Sequence, residues 1–65
     1  MMTENEFKYV VGKTLETAKG ELPPKYFFFT AEEDGKSFYR SMDFNPYRIN
    51  IIVKEGKVYR IQGIN

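Results

Sequence analysis

Between Ser41 and Asn50 the chain reads SMDFNPYRIN: a small residue, a methionine, an acid, an aromatic, an Asn-Pro pair, then Arg48 and Asn50 alternating with isoleucine. These side chains are equipped for recognition rather than for bond making. Met42 is unbranched and polarizable, which suits an apolar pocket. Asp43 and the carbonyls around it are acceptors that a guanidinium fork can grip together, and Arg48 follows close behind them. Asn45 precedes Pro46 and is pushed toward an extended conformation, the shape in which a segment lies along a cleft. Taken singly, each feature also has a plain reading: Met42 as tolerated surface or a partial core plug, Arg48 as a strand-edge charge.

The residues of covalent catalysis are missing. The chain has no histidine and no cysteine, so the commonest general base, the commonest metal ligand and the thiolate are all absent. The usual nucleophile-plus-base pairs cannot be assembled. We expect no enzyme, no metal and no other cofactor. Glu32, Glu33 and Asp34 are adjacent acids that read as solvated loop rather than as a cation site. Phe27, Phe28 and Phe29 read as core rather than as a platform for bases, because no basic cluster surrounds them.

The chain that must position these residues is short. Its 65 residues make one domain, 1–65, and a domain of this size buries only about 60% of the surface its unfolded form exposes. Ten Lys and Arg against nine acids leave a net charge of +1, with the charges scattered, so neither nucleic acid nor an anionic membrane is an expected partner. No apolar run approaches a membrane span, and MMTENEFKYV lacks the basic and apolar regions of a signal peptide. As written, the chain reads as soluble, monomeric and untargeted, hence cytoplasmic unless a leader has been removed.

Thr14 suits a helix N-cap, with Leu15, Ala18, Lys19 and Leu22 near helical spacing and Glu16 where the dipole favours an acid. Gly20 weakens the last turn and Pro23-Pro24 stops it, which predicts two to three turns. Residues 1–6 read as a flexible N-terminus. KYFFFT, from Lys25 to Thr30, reads as a strand buried on at least one face. RINIIV puts Ile49, Ile51 and Val53 on one face and Arg48, Asn50 and Ile52 on the other. Off the core face, Arg48 and Asn50 can both hydrogen-bond upward to the preceding segment. KEGK is a tight turn, and KVYRI returns from it as a hairpin. Residues 31–47 stay open between two readings: a hairpin turned at Asp34-Gly35, or one long exposed loop.

Two blocks carry a family resemblance. VVGKTLETAKGEL resembles the opening of the potato inhibitor I (barley chymotrypsin inhibitor 2-like) proteins. SMDFNPYRINIIVKEGKVYRI is similar to the reactive segment, alternating strand and final hairpin of that family, most of all to its bacterial small-inhibitor branch. The resemblance implies an α+β fold: a single short helix packed on a small mixed sheet of three or four strands, with a long exposed reactive-site loop between two parallel strands. It implies a substrate-like serine-protease inhibitor, with Ser41, Met42, Asp43, Phe44 and Asn45 in the reactive-site loop and Met42-Asp43 as the reactive bond. Arg48 and Asn50 would support the loop, Arg48 by binding its backbone and the acid after the reactive bond. Asn50 and Gly63 stand where plant members carry further supporting arginines, and Gln62 where they often carry proline. The expected partner is a protein: a serine protease of subtilisin or chymotrypsin type. The alternative is a non-inhibitory interaction module that uses Phe38, Tyr39, Phe44 and Tyr47 to bind another protein.

Overall fold

Thr14 starts the helix as its side chain predicts: Oγ1 accepts the Thr17 N–H at 3.3 Å, satisfying one of the donors that a helix N-terminus leaves unpaired. In the computed structural model, which describes residues 4–39 and 43–65, helix α1 spans Leu15–Gly20 and is only 6 residues long. It is thus shorter than the expected two to three turns. It closes when the Glu21 N–H turns back to the carbonyls of Ala18 and Lys19, just ahead of the prolines.

A 3-10 helix at Glu4–Val10 precedes it, so residues 4–6, expected to be flexible, lie in a regular element. Three residues per turn bring Phe7 and Val10 to the same side, and both are fully buried. Their spacing gives no helical stripe longer than this one pair, which is why the pattern does not stand out in the sequence.

The strands are β1 (Phe27–Glu33), β2 (Lys36–Ser37), β3 (Arg48–Lys54) and β4 (Lys57–Ile64). They form one mixed sheet in the order β2-β1-β3-β4. β1 and β3 run parallel, while the β1–β2 and β3–β4 pairs are antiparallel. The fold is α+β. The two readings of residues 31–47 each hold in part. Asp34 and Gly35 have φ of 49° and 87°, the two positive values that a type I′ hairpin turn needs. However, β2 pairs only with Glu32 and Glu33, and the chain then leaves the sheet on its way to Arg48. β1 therefore runs to Glu33, beyond the Thr30 expected for its end, with a register irregularity between Thr30 and Glu32.

β3 is the central strand and is buried on both faces as far as Val53. Ile49, Ile51 and Val53 meet Val58 and Ile61 of β4, Ala18 of the helix, and Phe7 and Val10 in a single core. Each such side chain contributes roughly 1.5–3 kcal/mol on burial. Phe28 stands beside Ile49 in the β1–β3 register and packs against this core. Phe27 and Phe29 stand beside Arg48 and Asn50, so they share the opposite face.

Candidate functional site

At the start of β3 the backbone turns tightly before it enters the sheet. Asn45 Oδ1 accepts the Tyr47 N–H at 2.9 Å, and the Asn45 carbonyl accepts the Arg48 N–H at 3.2 Å. Asn at the first position and Pro46 at the second are the residues such a turn favours. Tyr47 is then tied to β1, its carbonyl accepting the Phe27 N–H at 3.0 Å. The Tyr47 ring meets Tyr26 edge-on, with centroids 5.3 Å apart, and Tyr26 lies 4.9 Å from Phe7. A chain of aromatic contacts thus anchors this arm in the core.

Arg48 rises from that anchor. Its Nη2 donates to the Asp43 carbonyl at 2.6 Å and to the Asn65 backbone oxygen at 2.9 Å. Nη1 lies 3.7 Å from Asp43 Oδ1. The residue is only 7% exposed, whereas the Asp43 side chain is 61% exposed. Solvent therefore screens the ion pair, and the charge-assisted bonds to the carbonyls are the stronger hold. The expected contact between Arg48 and both the backbone and the acid of residue 43 is present. Ser41 and Met42, the other half of the expected reactive bond, lie outside the described residues.

The described contacts of Asn50 run across the sheet. Its Nδ2 donates to the Gly63 carbonyl at 3.3 Å and to Asn65 Oδ1 at 2.7 Å. The cause is register: Asn50 stands opposite Gly63 in the β3–β4 pair, so its amide spans β4. Gly63 has open space where a side chain would project. A small cavity of about 140 Å³ lies there, lined by Asn50, Gln62, Gly63 and Asn65.

Asn65 is the residue that sequence reasoning missed. Its N–H donates to the Arg48 carbonyl at 3.1 Å, and its two oxygens receive Arg48 and Asn50. One asparagine joins both supporting side chains. Nothing in the local pattern marks it, because the link is made across strands. Two buried atoms of this cluster, Arg48 Nε and Asn50 Oδ1, have no hydrogen-bond partner among the described residues.

Of the aromatic residues in the alternative reading, Tyr39 and Phe44 are 86% and 68% exposed, Phe38 and Tyr47 about half that. Among the described residues, no group of three or more acids is arranged to hold a metal ion. Among the described residues, the site holds one stretch of backbone in place with the buried Arg48 donors. Comparison of the chain with family models, with curated proteins and with solved structures finds no match.

Proposed function

We propose that the domain is a substrate-like inhibitor of a serine protease of subtilisin or chymotrypsin type. In this reading Ser41–Asn45 lies extended in the protease cleft, Met42 fills the specificity pocket and Met42-Asp43 is the bond attacked. One observation carries it: buried Arg48 straps the Asp43 carbonyl at 2.6 Å. When the protease acylates on Met42, the leaving amine is the backbone nitrogen of Asp43. A strap on the carbonyl of that same residue keeps the amine near the acyl group, where proximity favours resynthesis over escape. The same strap removes part of the cost of ordering the loop on binding.

The exposure of Tyr39 and Phe44 supports the second reading, an interaction module whose aromatic loop binds a partner without being cut. A panel of subtilisin, chymotrypsin and elastase separates the two. Inhibition is expected, with slow cleavage at Met42-Asp43 alone and interconversion of cut and intact forms, read by mass spectrometry over a prolonged incubation. Cleavage spread over several bonds of the loop, or no inhibition at all, would transfer the case to the interaction module. Met42→Lys is expected to shift preference toward trypsin-like enzymes while the domain stays folded.

A further inference from the structure

An open groove of about 700 Å³ lies between the N-terminal segment and β4, lined by Lys8, Val11, Arg60, Ile61 and Gln62. Lys8 and Arg60 are exposed, and neither forms an ion pair among the described residues. Between these cations lies apolar surface, with Val11 41% exposed. The outer edge of β4 is unfinished along the same groove. Gly12 N–H donates to the Val58 carbonyl at 2.7 Å, Val58 N–H donates to the Lys13 carbonyl at 2.9 Å, and Thr14 bridges to Lys57. Beyond Val58, no further backbone bond from that side reaches Arg60–Gln62 among the described residues.

We propose that this groove docks an extended acidic segment of a partner protein, added along the free edge of β4. Each part of the surface asks for one property of the occupant. Open ladder positions take another backbone. Lys8 and Arg60, which form no ion pair among the described residues, take carboxylates, and exposed Val11 takes an apolar side chain between them. A polyphosphate chain would meet the cations but leave the strand edge and the apolar patch unmatched. The groove does not involve the loop strapped by Arg48, so this docking stands or falls separately from protease inhibition.

The test uses the whole chain, labelled with ¹⁵N, and a synthetic peptide of sequence Asp-Leu-Glu-Phe-Glu. Amide shift changes are expected at Lys8–Val11 and Arg60–Gln62, with residues 43–47 unmoved. The double variant Lys8→Glu/Arg60→Glu alters two exposed side chains, and an unchanged spread of amide shifts in the free variant checks that the fold is kept. The variant is expected to weaken binding by about tenfold or more, since reversing both charges removes two attractions and adds two repulsions. Shifts scattered over other basic residues, an unchanged affinity in the double variant, or equal binding of a peptide with lysine at the acidic positions would each overturn the proposal. So would equal shifts on adding a short oligodeoxynucleotide or phosphatidylglycerol vesicles, which would mark an unselective cation patch.

Discussion

Replacing Arg48 with alanine removes a guanidinium that bonds two backbone oxygens while leaving Ile49, Ile51 and Val53 in the core. A hydrogen bond to a charged group contributes roughly 1.5–3 kcal/mol, so the arm at Asp43 should loosen by about that much. The expected variant is folded, but it is hydrolysed at Met42-Asp43 much faster than the parent. Ile51→Ala is the control: a fully buried side chain is cut back at a cost of about 2–5 kcal/mol, with the loop contacts untouched. Thermal melts and cleavage rates measured on both variants should rank them oppositely. If Arg48→Ala unfolds the domain, or leaves cleavage unchanged, the strap does not govern the loop. The contact between Arg48 and residue 43 is expected from the family resemblance; residue types alone leave Arg48 open to a plain strand-edge reading, although a guanidinium fork suits an acid and neighbouring carbonyls. Asn65 is not legible in the sequence, because only the β3–β4 register brings it beside Arg48.

The elements were legible where local chemistry fixes them. Thr14 ahead of Leu15, the Asp34-Gly35 pair and the KEGK turn each specify a backbone geometry within a few residues. The extent of β2 was not legible: pattern cannot tell how far KSFYR follows β1 before it departs. Both hairpins close with paired positive φ angles, and in the second Glu55 takes φ of 52° ahead of Gly56 at 75°. A glutamate has no local hydrogen bond to offset that left-handed geometry, whereas asparagine tolerates it. Glu55→Asn should therefore stabilise the domain by part of the roughly 1–2 kcal/mol that left-handed geometry costs an ordinary residue, seen as a higher urea midpoint at unchanged slope. Asp34 should behave in the opposite sense. Its Oδ1 accepts the Glu55 N–H at 2.9 Å, tying the two turns together, so Asp34→Ala loses both the tie and a tolerated positive φ. An unchanged midpoint in either variant would show that the turns contribute nothing to stability.

At the scale of the molecule, the radius of gyration is 10.9 Å, close to the value of about 10.7 Å expected for a folded chain of this length. The core is one cluster shared by all the main elements, so unfolding should be a single cooperative step. In a domain this small, 1 kcal/mol moves the melting temperature by about 4–8 °C, which makes melting a sensitive readout of the centre of β3. In the first half of that strand, Arg48 and Asn50 are 7% and 3% exposed, and each keeps a buried polar atom without a partner among the described residues. Exchanging a buried polar or ionic group together with its buried side-chain partners for apolar residues of similar volume is often neutral or stabilising by about 1–4 kcal/mol, whereas removing one member alone is destabilising. Arg48→Met/Asn50→Leu is therefore expected to melt at or above the parent temperature while its loop is cut faster. A lower melting temperature would mean that the polar cluster holds the fold itself. In a library varied jointly at positions 48 and 50, selection for heat resistance alone would give no reason to keep Arg48, and only a selection that included the loop's survival would keep it.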